Sequence, residues 1–498
     1  MTEVAALLAP VVRADSSGSF QGERSRLERA LAAGVGGVVL RGGTQDAVRA
    51  LTKELRQRSR VPLLIGADME RGAGQQFAGA TGMPPLRAIG ALNDREALRR
   101  AAKLTAREAR TMGVNWAFAP VCDLDVVLAN PIVGTRALGS NAQEVASMAS
   151  EWIDACQSEG VLACAKHFPG HGSTTTDSHS ELPVVAASRS ELFEQDMVPF
   201  RAAIESGVAS IMTAHVSYTA LDPSGVPATR SREILQWTLR QQLKFEGLVV
   251  SDSLEMAGFA VGVDEGDAAV QAIAAGVDVL VAPPDFEATT RTLERALRSG
   301  VLQSERVHQA LRRRLKWAQW ASPPNEYRKP ALADIAWAAQ LAERVVHVVR
   351  GRVPRLTTGV DVLVIDDDRG APDAPPRAAL CEALRAAGTD ARSVDRFEPA
   401  SARAMLLALY GDIRPRKGRA SYSAETRDAV NAALADAYQA LVVQFSHPRL
   451  VTELPAARNV VSAWGGDRAM QEAAARWLAR EGGGRREEGG GQQQQQRH

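Results

Sequence analysis

Residues 162–183 read LACAKHFPGHGSTTTDSHSELP, and the fold assignment depends on the pattern of this stretch. The four apolar residues Leu162–Ala165 predict a short buried strand, because a strand that is covered on both faces is apolar throughout. Lys166 and His167 follow directly, and the proline and glycines after them require an irregular loop. A buried strand that ends in charged side chains is typical of a barrel enzyme, in which the carboxyl ends of the strands form the active-site face.

The same unit recurs on both sides of this stretch. Short apolar runs alternate with longer helical segments over residues 1–320, which predicts an α/β fold, a (β/α)₈ TIM-type barrel. The predicted strands are Ala6–Val12, Gly36–Leu40, Pro62–Gly66, Asn115–Pro120, Leu162–Ala165, Ser210–Ala214, Leu248–Ser251 and Asp278–Ala282. The predicted helices include Ala97–Met112, Asn141–Glu159, Ser190–Ser206, Ser231–Leu243, Ala268–Ala275 and Phe286–Arg298.

The remainder of the chain predicts a second, smaller domain. Residues 321–350 combine a proline-rich linker with an amphipathic helix at Ala331–Arg350. Residues 351–480 repeat the alternation of strands and helices, and we expect a small α/β sandwich there. Residues 481–498, with glycine runs and five consecutive glutamines, predict a disordered low-complexity tail.

Composition excludes several classes of protein. The 59 Lys and Arg residues nearly balance the 58 Asp and Glu residues, so no global field favours nucleic acid or a membrane as partner. The first 14 residues lack the basic start of a signal peptide and no run of about 18 apolar residues occurs, so we expect a cytoplasmic protein. We also expect a monomer or a weak oligomer. Four cysteines without CxxC spacing, and the lack of a nucleotide-binding fingerprint, predict no metal and no other cofactor.

Charged residues gather where the predicted strands end: Asp68 and Glu70, Asp123 and Asp125, Lys166 and His167, His215, and Asp252. An aspartate after a strand can simply cap the next helix, but this explanation fits a Lys-His pair and a histidine poorly. Asp252 ends the apolar run of GLVVSDSLEM, residues 247–256, and a short carboxylate on a rigid strand end suits a nucleophile.

The loop after Lys166 carries a second candidate group. Asp177 and His179 lie two residues apart, and a carboxylate beside an imidazole raises the pKa of the imidazole and fixes its tautomer. Such a histidine can donate a proton and later take one back. A carboxylate facing a proton donor is the working pair of a glycosidase, in which the donor is usually a second carboxyl group.

These residues resemble glycoside hydrolase family 3, in its bacterial β-N-acetylhexosaminidase branch. The branch motif KHFPGHG-x(4)-DSH-x(3)-P is matched without a gap from Lys166 to Pro183. The resemblance implies a retaining exo-β-N-acetylglucosaminidase that acts on cell-wall muropeptides, with a carbohydrate as its small-molecule partner. It also implies that Asp252 is the nucleophile and that His179 is the acid/base, assisted by Asp177.

The resemblance further implies a set of sugar-binding residues. Lys166 and His167 bind sugar hydroxyls, as do Arg136 in NPIVGTRAL and Asp68 in ADMERGAGQQF, while His215 lines the pocket. Three positions depart from the family pattern: Arg71 replaces a glycine, Gln76 replaces a basic residue, and Ser253 replaces the second aspartate of SDD. Cys122 and Cys164 are expected as buried thiols, His171 as a residue that stabilises its own loop, and Arg312–Arg314 as a solvated helix face.

Three other activities remain open from the sequence. A β-glucosidase of the same superfamily is one, although that branch tends to carry Trp after the nucleophile. Phosphorolysis is the second, because a neutral histidine repels phosphate less than a carboxylate would. The third is a barrel lyase in which Lys166 forms a Schiff base. A non-catalytic sugar-binding protein is disfavoured because Asp252, Asp177 and His179 are all present.

Overall fold

The structure is a computed structural model, and it describes residues 3–321, 331–356, 359–369, 375–398, 401–435, 437 and 439–482. The chain divides into two compact units. The first contains the residues up to Val345 together with Ile413–Ser421, and the second contains Val346–Asp412 and the residues from Tyr422 onward. The predicted tail, except for its first two residues, and most of the predicted linker lie outside the described residues.

The first unit is built on parallel strands. They are β1 Leu8–Ala9, β2 Val11–Arg13, β3 Gly37–Arg41, β4 Leu64–Ala67, β5 Trp116–Ala117, β6 Leu162–Phe168, β7 Val184–Val185, β8 Ser210–Thr213, β9 Ser217–Tyr218, β10 Leu248–Ser253 and β11 Val279–Val281. Strands β7 and β9 form a separate small parallel pair. The other nine form one sheet in the order β1-β11-β10-β8-β6-β5-β4-β3-β2.

The two ends of this sheet belong to one stretch of chain. Strands β1 and β2 flank Pro10, with β1 pairing with β11 and β2 pairing with β3. The segment 8–13 therefore acts as one interrupted strand that closes the barrel, and the predicted strand Ala6–Val12 begins instead with a 3₁₀ turn, Glu3–Leu7. Proline lacks the N–H that a continuous strand needs, which explains the interruption. The predicted fold class, a TIM-type barrel followed by an α/β sandwich, is confirmed.

Helices cover the outside of the barrel. They are α1 Arg24–Ala33, α2 Gln45–Arg58, α3 Leu86–Ala91, α4 Arg95–Thr111, α5 Ala142–Ser158, α6 Arg189–Glu191, α7 Val198–Glu205, α8 Glu265–Ala275, α9 Phe286–Arg298, α10 Ser304–Trp320 and α11 Leu332–Val345, with π-helical turns at Leu192–Asp196 and Glu233–Gln242. Side-chain caps start several of them, as where Thr44, Asp94 and Asp285 each accept a hydrogen bond from a main-chain N–H in the first turn.

The barrel interior is a packed core, which leaves only the rim for chemistry. Side chains from alternate strand positions fill it, including Val39, Leu64, Trp116, Leu162 and Val250. The indole of Trp116 donates a hydrogen bond to the hydroxyl of Ser210 at 2.9 Å, so its one polar atom is satisfied. A second, larger apolar layer lies between the strands and the helices.

The second unit is a smaller sheet with helices. Its strands are β12 His347–Arg350, β13 Val360–Asp366, β14 Ala391–Val394, β15 Ala404–Tyr410, β16 Leu441–Phe445 and β17 Asn459–Ser462, and its helices are α12 Ala379–Ala386, α13 Ala424–Ala435 and α14 Arg468–Gly482. The order is β12-β17-β16-β15-β13-β14, in which every pair is parallel except β12 with β17.

Two local predictions were wrong. The predicted helix Ala331–Arg350 ends at Val345, and its last residues form the edge strand β12, whose valines suit a strand better than a helix. Arg314, predicted to be solvated, is only 3% exposed, and its guanidinium donates to the carbonyl oxygens of Gly36 and Pro62. In the part of the chain that the structure describes, no helix combines the length and apolar character needed to cross a bilayer.

Candidate active site

The carboxyl ends of the barrel strands bring most of the predicted site residues to one rim. Asp68 follows β4, Lys166 and His167 lie near the carboxyl end of β6, and Asp252 is the penultimate residue of β10. These strands are neighbours or near neighbours in one parallel sheet, so their carboxyl ends face the same side. None of these aspartates caps a helix, whereas Asp285, which follows β11, does.

Four charged side chains form a compact network on this rim. The ammonium of Lys166 contacts Asp68 Oδ1 at 2.8 Å and Glu70 Oε1 at 2.7 Å, and the guanidinium of Arg136 binds both oxygens of Glu70 at 2.8 and 3.0 Å. Burial alone would lower the pKa of Lys166, but the two carboxylates outweigh it and raise that pKa. Burial would raise the pKa of Glu70, yet Arg136 and Lys166 hold it well below its usual range.

The network has a direct chemical consequence. Lys166 and Arg136 remain cations, and they offer fixed donors beside an Asp68 carboxylate that is one-third exposed. Such a set can hydrogen-bond a polyol, but a permanently protonated amine cannot attack a carbonyl. The charge state of Lys166 therefore disfavours the Schiff-base reading.

His167 connects this network to the candidate nucleophile. Its Nδ1 lies 2.6 Å from Asp123 Oδ2, and its Nε2 lies 3.5 Å from Arg136 Nη2 and 3.8 Å from Asp252 Oδ2. Asp123 is buried and also accepts main-chain N–H groups from His167 and His171, which fixes the imidazole from behind. A carboxylate on one ring nitrogen determines which tautomer faces the site.

Asp252 is held as an ionised carboxylate. Burial would raise its pKa, but the imidazoles of His167, His215 and His179 outweigh burial and hold the pKa well below its usual range. Its Oδ1 accepts the main-chain N–H of Ser253 at 2.7 Å. His215 is fully buried, with its ring nitrogens on Thr229 and on the carbonyl oxygen of Ser253, so the geometry makes it a support of the strand end rather than a free sugar ligand.

The Asp177–His179 pair lies on the loop after β6. His179 Nδ1 and its main-chain N–H both contact Asp177 Oδ1, each at 2.9 Å. Although burial opposes it, these contacts lower the pKa of Asp177, so the carboxylate stays ionised and is the acceptor for an Nδ1 proton. The Nε2 atom of His179 is then the nitrogen available for proton transfer.

Internal contacts give this polar loop a defined shape. His171 is buried, with its ring nitrogens 2.7 Å from Thr174 Oγ1 and 2.9 Å from Ser178 Oγ. Asn130, also buried, donates to the carbonyl oxygens of His171, Gly172 and Thr174. The expectation that His171 serves its own loop agrees with these bonds.

The acid/base loop is also tied to the chain that follows the nucleophile strand. The main-chain N–H groups of Ala257 and Gly258 donate to the carbonyl oxygens of His179 and Ser178 at 3.4 and 3.2 Å. A Cβ at position 258 would meet carbonyl oxygens of His215, Glu181 and Ser178 at 2.9–3.1 Å, so glycine permits this close approach. The structure thus brings the Asp177–His179 pair and the Asp252 strand to one place.

The three departures from the family pattern have local explanations. Arg71 donates to the hydroxyl of Thr135 at 3.0 Å, beside Arg136, and Gln76 accepts the N–H of Gly42 at 3.3 Å. The main-chain N–H of Ser253, not its side chain, contacts Asp252. The contacts described for the Arg71 and Gln76 side chains do not involve Asp252.

Sequence reasoning left out several residues that organise the site. Glu70 and Asp123 were noticed as strand-end acids but given no role, although each bridges two groups of the site. Both side chains are buried, which distinguishes them from ordinary strand-end acids, but burial cannot be read from one sequence. The main-chain N–H of Arg416 donates to Asp177 Oδ2 at 2.6 Å, from 239 residues further along the chain, and no local pattern predicts that contact.

Comparisons with known proteins show the family to which the chain belongs. The family described as "Glycosyl hydrolase family 3 N terminal domain" matches residues 8–316. The chain is 31% identical to a "Beta-N-acetylglucosaminidase/beta-glucosidase" of Cellulomonas fimi over 88% of this chain and 85% of that protein, and 41% identical to a "Beta-hexosaminidase" of Thiobacillus denitrificans over 49% of this chain and 69% of that protein.

Solved structures extend the similarity to the whole chain. A family 3 β-N-acetylglucosaminidase from Paenibacillus sp. FPU-7 superposes with a TM-score of 0.84 at 26% identity, covering 96% of both chains. A β-glucoside phosphorylase gives the same TM-score at 20% identity and supports the fold alone. The resemblance inferred from the sequence is confirmed, and the chain belongs to glycosyl hydrolase family 3.

Proposed function

We propose that this glycoside hydrolase of the β-N-acetylhexosaminidase type is a retaining exo-β-N-acetylglucosaminidase that works through a glycosyl-aspartate. The observation that carries the proposal is the pairing of an ionised, partly buried strand-end carboxylate, Asp252, with a histidine whose loop is bonded to the chain just after that strand. The relatives named β-hexosaminidase and β-N-acetylglucosaminidase support the sugar.

The proposed reaction has two steps. Asp252 attacks the anomeric carbon while His179 Nε2 protonates the leaving oxygen, which gives a covalent ester and a free aglycone. His179 then takes a proton from water, the water oxygen attacks the anomeric carbon, and the carboxylate leaves. Two inversions restore the β configuration. In this scheme His179 is an imidazolium before the first step and after the second and is neutral while the ester exists, and Asp177 stabilises the cation through Nδ1.

The residues around the ring have proposed binding roles. Lys166 and Arg136 donate to sugar hydroxyls, Asp68 accepts from them, and His167 presents Nε2 between Arg136 and the nucleophile. Hydrogen bonds of this kind that tighten as positive charge develops at the anomeric carbon lower the barrier. Release of N-acetylglucosamine from cell-wall muropeptides in the cytoplasm is the proposed biological role, and it depends on the family resemblance.

Substitution of the two reacting groups tests the mechanism. Asp252→Ala and His179→Ala should each lose most of the turnover of aryl N-acetyl-β-glucosaminides while their melting temperatures stay near that of the parent. Asp285→Ala is the matched control, because Asp285 also follows a barrel strand but caps a helix. It should lose about 1 kcal/mol of stability and keep its turnover. Near-parental turnover by either site variant would exclude the assignment.

The covalent intermediate requires a separate experiment. A slow fluorinated N-acetylglucosaminide with a good leaving group should trap the ester, and mass spectrometry of the digest should locate the adduct on the peptide that contains Asp252. The first product seen by NMR should be the β anomer. A first-formed α anomer would contradict a retaining reaction.

A β-glucosidase is the second candidate, because the printed name of the Cellulomonas fimi relative covers both activities. The ratio of kcat/KM values on 4-nitrophenyl N-acetylglucosaminide and 4-nitrophenyl glucoside decides between them. A ratio well above one supports the first proposal, and a ratio below one supports the glucosidase.

A further inference from the structure

A short segment that is remote in the chain reaches the candidate acid/base. Residues 413–421, IRPRKGRAS, lie between strands of the second unit in sequence but belong to the first unit by their contacts. We call these nine residues the basic segment. Its Ile413 packs closely on Gly134, where a Cβ would lie 2.9 Å from Ile413 Cβ, so the segment rests on the loop that carries Arg136.

The basic segment completes the hydrogen bonding of Asp177. This residue is 4% exposed, and both contacts from His179 go to Oδ1. Oδ2 accepts the main-chain N–H of Arg416 at 2.6 Å. A buried carboxylate needs donors on both oxygens to remain ionised and fixed, so the Arg416 amide supplies what the loop itself does not.

The backbone of Arg416 makes this contact from a left-handed conformation within a turn. Its φ is +68°, in the left-handed region that an arginine seldom adopts. A non-glycine residue in this region costs free energy, and the surroundings must compensate for it. Arg416 follows Pro415 in a turn that the N–H of Lys417 closes onto the carbonyl oxygen of Arg414 at 3.3 Å, and the third position of a type II turn takes a positive φ. This turn leaves the Arg416 side chain exposed and directs its main-chain N–H to Asp177.

We infer that the main-chain N–H of Arg416 is a positioning group for the general acid/base: it holds Asp177 so that His179 keeps Nδ1 on the carboxylate and presents Nε2 to the leaving oxygen. The inference rests on the proposed function. Proton transfer in the barrel then depends on a segment that follows β15, far outside the barrel residues in sequence.

Two variants at one position separate the amide from the side chain. Arg416→Pro removes the N–H and cannot adopt a positive φ, while Arg416→Gly keeps the N–H and favours that φ. Lys244→Pro is the matched control, because Lys244 is also exposed with φ +59°, but it lies before β10 at the opposite end of that strand from Asp252.

The readout is kcat/KM across aryl N-acetylglucosaminides whose leaving groups range from 4-nitrophenol to phenol. A poor leaving group needs the proton from His179, and a good one hardly does. Arg416→Pro should therefore lose about tenfold or more on the phenyl substrate and much less on the 4-nitrophenyl substrate. Arg416→Gly and Lys244→Pro should show the parental dependence on leaving group.

A double-mutant cycle keeps the test decisive if the proline variant is unstable. In an Asp177→Ala background the amide has no partner, so Arg416→Pro should cause no further loss on the phenyl substrate. Equal losses on all leaving groups, or a full additional loss in the Asp177→Ala background, would overturn the inference. A parent enzyme with no activity on any N-acetylglucosaminide would instead refute the proposed function, so the two failures are distinct.

Discussion

Glu70 supports the charge network of the site, and its replacement by glutamine gives the sharpest test of that network. The side chain is buried between Lys166 and Arg136, with three contacts of 2.7–3.0 Å from the two cations. Glu70→Gln keeps the shape and one acceptor oxygen but removes the charge. The buried ammonium of Lys166 and the partly buried guanidinium of Arg136 then face each other across a neutral amide, and Asp68 remains to balance Lys166.

The expected loss of stability follows from the two cations that lose their shared carboxylate. Breaking a buried ion pair by removing one partner costs about 3–5 kcal/mol, which in a unit of about 350 residues would lower the melting temperature by roughly 4–7 °C. The same change should raise KM for N-acetylglucosaminides, because Lys166 and Arg136 lose the group that orients them. Thermal unfolding and steady-state kinetics measure the two effects.

Glu108→Gln is the matched control. Glu108 is also buried, and its two oxygens accept from the N–H and the hydroxyl of Thr81. A glutamine there can accept the N–H with its oxygen and donate its amide N–H to the hydroxyl oxygen. Burial raises the pKa of Glu108, so its charge opposes folding at neutral pH, and the amide should be neutral or slightly stabilising.

The pH dependence provides an independent check. The pKa of Glu70 is lowered by folding, so its contribution is fully present above its ordinary value of about 4.3 and is lost as pH falls below that value. The stability difference between the parent and Glu70→Gln should therefore shrink in acid. If Glu70→Gln unfolds no more readily than Glu108→Gln at pH 7, the reasoning about the network is wrong.

Three further outcomes are expected. Borohydride should trap no adduct of Lys166 with a carbonyl sugar, because the raised pKa keeps the amine protonated; a trapped adduct would revive the lyase reading. Burial raises the pKa of Asp196 to about 6, so the stability of the parent relative to Asp196→Asn should fall as pH rises from about 4 to about 6; a difference that does not change with pH would contradict this. Iodoacetamide should leave Cys122 and Cys164 unmodified in the folded protein, because both thiols are fully buried and burial raises the pKa of Cys164 to about 12; rapid labelling of either would contradict that burial.

The barrel could be predicted from sequence because its strands are buried on both faces. Each is a short apolar run such as Leu248–Ser251, and the observed strand β10 extends that run by only two residues, to Ser253. The edge strand β14, ARSV, was not predicted, because its side chains are largely exposed and it therefore lacks an apolar run. Strand β12 was absorbed into the preceding helix for a related reason, since its valines continue an apolar pattern begun by α11.

The site was predictable to the extent that its residues are close in sequence. The long motif from Lys166 to Pro183 contains both the Lys166–His167 strand end and the Asp177–His179 pair. These residues could therefore be assigned to one site without knowledge of the fold. Glu70 and Asp123 could not be ranked above other strand-end acids, because their importance comes from partners more than 40 residues away. His215 was assigned to the pocket, and the structure engages both of its ring nitrogens elsewhere.

The balance of charge at the site favours water over phosphate as the acceptor. Five carboxylates are gathered there and two permanent cations oppose them: Asp68, Glu70, Asp123, Asp177 and Asp252, against Arg136 and Lys166. The formal charge of these seven groups, with the imidazoles left out, is −3, which stabilises a transition state with positive charge at the anomeric carbon. Formation of the ester on Asp252 removes only one of these charges, so a phosphate anion would still enter a negative field.

The basic segment brings positive charge to the acid/base pair, since residues 413–421 contain four cations and no acid and the main-chain N–H of Arg416 contacts Asp177. Any phosphorolysis should therefore depend on it. Arg416→Gln keeps the main-chain N–H and the backbone preference of arginine but removes one charge, and Arg298→Gln removes an exposed charge from α9. In concentrated phosphate, the ratio of sugar 1-phosphate to free sugar should fall for the first variant alone, and it should also fall for the parent as sodium chloride screens the segment. Equal ratios in the two variants would show that the segment does not guide the acceptor, and the negative field of the barrel would then leave hydrolysis as the expected reaction.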